Sequence, residues 1–270
     1  MWHVLNGVQY MLKQIEENEM NENVKIPNDA KRKHGSGGFG IEILLPGVAI
    51  ISTDSGIGSI GRIDHATVRP GTVIPMHPHQ DDEILTYIRQ GKIRHLDTMG
   101  NHEEISNKRL MLMNAGHTFQ HEEHIMGGRD EIMTGLQIFI RPEKSNLKPQ
   151  VQFHEFEDAY SHHVWRLVAG PQDAPLIFRA QTWLHDVRLE EGASMYFPEL
   201  EVSGAFRLLY VFSGSISVGE EYLKEGESLL IRDDEQYKID ARSECDIVLL
   251  TTDTNAESYK NGMFSGNLLG

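Results

Sequence analysis

The sequence predicts an all-β fold of two tandem small barrels preceded by a short helix, and three observations carry that reading. From Phe39 onward short apolar runs such as "IEILL", "VAIIS", "HATVRP", "ILTYI" and "LQIFI" alternate with turns that are often marked by glycine, the texture of a sandwich or barrel. The stretch "RPEKSNLKPQVQFHEF" interrupts this pattern with Pro142, Pro149 and polar residues, as a connector between two bodies does. Beyond it the strand pattern resumes, with "TWLHDVRLEEG", "AFRLLYVFSG", "SISVGEEYLKEG", "ESLLIRDD", "QYKIDAR" and "CDIVLLTTD".

Taken in order, "MWHVLNGVQYMLKQIEENEM" places Val4, Leu5, Val8, Met11, Leu12 and Ile15 on one face at helical spacing, so one amphipathic helix is expected there. "NENVKIPNDAKRKHGSGG" is polar and rich in turn formers, and reads as a linker in which Lys31, Arg32 and Lys33 form a solvated basic knot. The expected organisation is therefore a helix and linker over 1–38, a first barrel over 39–150 and a second over 151–270. Leu110 and Leu112 alternate with Met111 and Met113, which predicts a strand packed on both faces.

The chain has 270 residues with 39% hydrophobic content, enough for ordinary cores. A net charge of -15 opposes direct binding to a phosphate backbone, which needs clustered Lys and Arg. The single cysteine, Cys245, excludes an intrachain disulfide and agrees with a reducing, cytoplasmic setting. No run of apolar residues reaches membrane-spanning length, and the N-terminus lacks the pattern of a secretion signal, so no membrane anchor is expected. A monomer is the simplest expectation.

The chemistry concentrates in "GTVIPMHPHQDDEILTYIRQG". In a strand, residues two apart project to one face, so His77 and His79 point together while Pro78 faces away. Pro78 also removes a ladder donor, which confines its strand to an edge or a mouth. In "NAGHTFQHEEHIMGG", His121 and Glu123 again stand two apart. Two such pairs on facing strands give three imidazoles and one carboxylate. That donor set suits a non-haem Fe(II), with Mn, Ni, Cu or Zn possible in the same cage, and leaves positions for substrate or dioxygen.

These residues carry a resemblance. The run from Gly71 through His77, Pro78, His79 and Glu83 to Gly91, the "DTMGN" turn at Asp97–Asn101, and "NAGHTFQHEE" with Gly116, His121 and Glu123 together resemble the cupin superfamily and, within it, the pirin family. The likeness spans about residues 60 to 140. It implies a bicupin of two double-stranded β-helix (jelly-roll) barrels whose N-terminal barrel holds one iron, with His77, His79, His121 and Glu123 as its ligands. Two readings of Glu83 stand: the usual cupin glutamate that reaches the metal, or the pirin arrangement, in which Glu123 does so and Glu83 braces the site; the second is preferred.

The sequence departs from pirins in two places. Pirins usually follow HPH with a basic residue and Gly-Phe, whereas this chain has Gln80, Asp81 and Asp82; the stretch before residue 40 does not match either. The chain thus resembles an outlying, bacterial-type pirin-related branch. The second barrel has no His-x-His: "GASMYFPEL" keeps Gly192 and Pro198 without imidazoles, so that barrel is expected to be structural and without metal. Asp81 and Asp82 read as a solvated turn; His95, His102, His117 and His124 read as surface or turn histidines, with His117 nearest the mouth. His162 and His163 fit no ligand pattern.

What the resemblance implies about activity is a metal-dependent dioxygenase of the quercetinase type, an oxidoreductase acting on a flavonol or similar enolisable hydroxy-ketone. Its partners would be the small-molecule substrate and dioxygen, with Glu123, or Glu83, as the base that takes the substrate hydroxyl proton. The rival is a non-enzymatic, metal- or redox-sensing pirin-like protein that engages a protein partner.

Overall fold

The computed structural model describes residues 23–50 and 53–269. The amphipathic helix expected near the N-terminus lies outside the described residues. The regular structure of the described residues is nearly all strand, arranged in four sheets.

In the first half a seven-stranded sheet runs in the order Gln150–Glu155, Arg109–Asn114, Glu83–Gln90, Met133–Ile140, Ile60–Val68, Phe39–Leu44, Arg32–Ser36. Opposite it stands a four-stranded sheet of Val73–His79, Phe119–Met126, Lys92–Asp97 and His102–Ile105. Val68, Ile84, Ile88, Met111, Met113 and Phe139 from the larger sheet meet Ile93, Ile105, Phe119 and Ile125 from the smaller one to form a barrel core. The second half repeats this with a seven-stranded sheet and a four-stranded sheet, whose core includes Val187, Leu209, Ile216, Ile239 and Ile247.

The two large sheets bury their outer faces on each other. Side chains alternate across a strand, so Ile84 and Ile88 enter the first barrel while Leu85 and Tyr87 turn to the interface, where they share a cluster with Leu184, Leu208, Val248 and Leu250. This two-sided burial explains why "ILTYI" reads as a continuous apolar run. The alternation expected at residues 110–113 is realised in the same way: Leu110 and Leu112 face the interface, and Met111 and Met113 fill the barrel.

The stretch expected as a linker carries structure instead. Val24–Ile26 pairs with Ser228–Ile231 as an edge strand of the second large sheet, and Arg32–Ser36 pairs with Phe39–Leu44 in the first. Its polar composition misled because both are edge strands, which tolerate charged residues on their open sides. The basic knot is also divided: Lys31 is buried and paired with Glu42 at 2.8 Å, whereas Lys33 is exposed. Among the described residues no helix is long and apolar enough to cross a membrane.

Candidate metal centre

The strand Val73–His79 lies at the edge of the small sheet of the first barrel and pairs on its inner side with Phe119–Met126. Pro78, which offers no N–H to a ladder, is thereby tolerated. The register sets His121 directly opposite His77, and a bulge between His121 and Glu123 shifts the pairing so that Glu123 faces Ile74. On its other side Phe119–Met126 pairs with Lys92–Asp97, which brings Glu123 opposite His95 and His121 opposite Asp97.

Four rings gather as a result. The His77 and His121 centroids are 4.3 Å apart, His77 and His79 5.0 Å, His79 and His121 5.0 Å, and His95 and His121 5.3 Å. His79 Nε2 and His121 Nε2 stand 3.0 Å apart. That is the separation two imidazoles adopt as adjacent ligands of one ion, each about 2.1 Å from it. Donor atoms of His77, His79 and His121 form one compact group, and those of His95, His121 and Glu123 form a second that shares His121.

Electrostatics agree with a cation here. Burial drives the His121 pKa far down, with the neighbouring imidazoles adding to the effect, and burial lowers those of His77 and His95 as well. Those three rings are therefore neutral and offer lone pairs, as ligation requires. His77 Nδ1 donates to the Pro75 carbonyl oxygen at 2.9 Å, which leaves Nε2 free to ligate. Glu123 is the strongest indication. Burial pushes its carboxyl up to about 7, and its Oε1 is buried without a hydrogen-bond partner, as are His79 Nδ1 and His121 Nδ1. A carboxylate cannot stay ionised in such surroundings without a compensating charge, and a divalent transition metal supplies one.

The centre opens on a cavity of about 230 Å³ inside the first barrel. His77, His79 and Glu123 form its polar side, and Ile41, Val68, Ile74, Ile88, Phe139 and Phe264 form an apolar wall. Arg62 and Asp64 also border it, joined by two hydrogen bonds of 2.6 Å, with the guanidinium 5.4 Å from the Phe139 ring centroid.

His77, His79 and His121 thus form one donor group, and Glu123 adjoins it through His121, in the second group with His95. Glu83 does not join them. Its carboxylate accepts from Asn114 Nδ2, from the Arg179 N–H at 2.9 Å and from Arg179 Nε at 2.8 Å, so it is committed to the contact with the second half of the chain. The direct cause is alternation: Glu83, opposite Asn114 and Ile140 on the large sheet, shares the interface face of Leu85 and Tyr87, whereas Ile84 and Ile88 face the barrel.

Three further expectations change. His95, read as a surface residue, is fully buried, and its Nε2 is 2.9 Å from Asp97 Oδ2. Alternation held the signal, because His95 shares the inward face of Ile93 in "KIRHLD". Asp81 and Asp82 are buried and not solvated: Asp81 accepts the Asn146 N–H at 2.7 Å, and Asp82 binds the C-terminal segment. His117 is exposed, in line with the surface reading, but it does not line the cavity. No metal-ligating cluster occurs in the second half among the described residues.

Comparison with known proteins is consistent with this geometry. The Pirin family model matches residues 58–140. A protein of Zymomonas mobilis named putative quercetin 2,3-dioxygenase is 29% identical over 188 residues, covering 68% of this chain and 78% of that one. The Escherichia coli K12 protein named quercetin 2,3-dioxygenase is 25% identical, covering 72% and 82% respectively. Among solved structures, the bacterial pirin YhhW of Escherichia coli in complex with nickel(II) superposes with a TM-score of 0.73 at 20% identity, covering 86% of this chain and 99% of that one. At that identity the structural match speaks to the fold.

Proposed function

We propose that this chain, a pirin-like protein of the cupin superfamily, is a metal-dependent dioxygenase of the quercetinase type, with Fe(II) as its metal and a flavonol or similar enolisable hydroxy-ketone as its substrate. The observation that carries the reading is the buried carboxylate of Glu123, whose Oε1 accepts no hydrogen bond, beside the cluster of imidazoles at an apolar cavity. Names of relatives such as the Escherichia coli quercetin 2,3-dioxygenase support the substrate class.

His77, His79, His121 and Glu123 would hold the metal. When bound, it supplies Lewis acidity and an electron path between substrate and dioxygen. The chain does the rest. Glu123 Oε1 would take the hydroxyl proton, since a ligating carboxylate that shifts off the metal can act as a base. The apolar wall of Ile41, Val68, Ile74 and Ile88 excludes water from the electron-rich enolate. His95, tied to Asp97, is fixed opposite Glu123 and limits the rotation of that carboxylate. Glu83 takes no part in the chemistry and braces the barrel from outside the site.

The test is dioxygen uptake by metal-reconstituted protein given quercetin. Uptake in the wild type that disappears in His121→Ala supports the assignment. Full metal occupancy without uptake from any flavonol overturns it and leaves the metal-sensing alternative.

A further inference from the structure

After Thr252, the end of the last strand of the second half, the chain runs back across the first barrel. Tyr259 N–H donates to Pro142 O at 2.8 Å and Met263 N–H to Gln80 O at 3.0 Å. The fixing point is Asp82. This fully buried carboxylate accepts from the N–H of Phe264 at 3.1 Å, the N–H of Ser265 at 2.8 Å and the Ser265 hydroxyl at 2.7 Å. From the other side Arg141 Nε donates to Ser265 O at 2.8 Å. Gly262 is needed for so close an approach, because a Cβ there would collide with the carbonyl oxygen of Asp81. Of the two aspartates that follow HPH, Asp82 is thus the dock for the tail, while the Asp81 carboxylate holds Asn146.

The dock has a consequence inside the cavity. It seats the Phe264 ring 5.1 Å from the His79 ring and 5.6 Å from that of Phe139. Arg62 lies 5.5 Å from its centroid on the same wall. Phe264 is only half-buried, so part of the ring remains open to a cavity occupant. We infer that Phe264, delivered from the C-terminal tail and held by Asp82, is the specificity-determining wall of the metal centre: it is the face on which a planar aromatic ligand stacks, so the site prefers aromatic chelators to aliphatic ones. This rests on the metal-centre reading of the same cavity and does not require turnover. Phe264 is the specificity residue, and Asp82, which also stands 3.7 Å from His79 Nδ1, is a positioning residue, so its variants are compared at equal metal content.

Two chelating probes separate the stacking face from the metal: 4-nitrocatechol, which is aromatic, and acetohydroxamate, which is not. Both are titrated into metal-reconstituted full-length protein. Aromatic stacking predicts that Phe264→Ala binds 4-nitrocatechol about tenfold more weakly than the wild type. Acetohydroxamate should change by no more than about twofold, because it makes no ring contact. Metal content should be unchanged, and Phe264→Tyr should restore the preference. Asp82→Asn should reproduce the loss of preference and speed hydrogen exchange at the Phe264 and Ser265 amides. Equal weakening of both probes, no change in either, or no binding of either by the metal-loaded wild type overturns the inference. Wild-type protein that takes up no metal overturns the metal-centre reading and this inference together; probe binding without dioxygen uptake overturns only the dioxygenase assignment.

Discussion

Replacing Arg179 with leucine tests the placement of Glu83 outside the metal centre. In the wild type the Glu83 carboxylate is fully buried and accepts from Asn114, from the Arg179 N–H and from Arg179 Nε, while Arg179 Nη2 lies 2.7 Å from Oε1 as an ion pair. The leucine variant keeps the first two donors and loses the side-chain contacts. Bonds to a charged group are worth about 1.5–3 kcal/mol each, and stripping one partner from a buried pair costs about 3–5 kcal/mol. For a cooperative unit of this size the midpoint should fall by roughly 6–20 °C at neutral pH. Burial already holds the Glu83 carboxyl above its ordinary range against the pull of Arg179, so removing the guanidinium raises it further. A group whose folded pKa is raised contributes stability that is present below its unfolded value and lost as pH rises through the folded one. The deficit should therefore be largest above neutrality and shrink as pH falls toward about 4, the ordinary glutamate range. Thermal melts of both proteins at several pH values, with metal content measured alongside, give the comparison. A loss of less than about 1 kcal/mol, well under the range for a broken buried pair, a deficit that grows on acidification, or a variant that keeps its midpoint but loses its metal would refute this placement of Glu83.

Other predictions concern the centre itself. Because burial pushes Glu123 up to about 7, metal-free protein should lose roughly 3 kcal/mol of stability as pH rises from about 4.5 through 7. Glu123→Gln should abolish that slope, metal should offset it in the wild type, and a slope unchanged in the variant would assign it to other groups. In the reconstituted protein the same substitution should retain part of the metal and lose proton abstraction from the substrate, read as bound metal without dioxygen uptake; full uptake would place the base elsewhere. His77→Ala should empty the site yet alter the metal-free folding free energy by no more than about 1 kcal/mol, since a half-buried edge side chain adds little to the core. Denaturant titration checks this, and collapse of the fold would contradict it.

What could be read from the sequence was what local periodicity encodes. Residues two apart share a strand face, so His77 with His79 and His121 with Glu123 were visible as pairs, and the continuous apolar runs indicated strands covered on both sides. His95 was equally available through its alternation with Ile93, but adjacent charged residues made the segment look exposed. The features that escaped depend on distant partners. Arg179, which claims Glu83, lies 96 positions away, and the Ser265 hydroxyl that satisfies Asp82 lies 183 positions away. No local pattern distinguishes an aspartate in water from one that docks a returning tail. For the same reason the aromatic wall missing after HPH could not be found near it; it comes from Phe264. The polar stretch taken for a linker became edge strands because sheets elsewhere in the chain offered open edges for it to pair with.

The central claim is that His77, His79, His121 and Glu123 hold one divalent transition metal. It is tested most directly by elemental mass spectrometry of wild-type protein and His121→Ala, purified side by side without chelator or affinity-tag histidines. Near-stoichiometric iron or another transition metal in the wild type, lost in the variant, is the predicted result. Equal and negligible metal in both, persisting after anaerobic reconstitution with Fe(II), would contradict it.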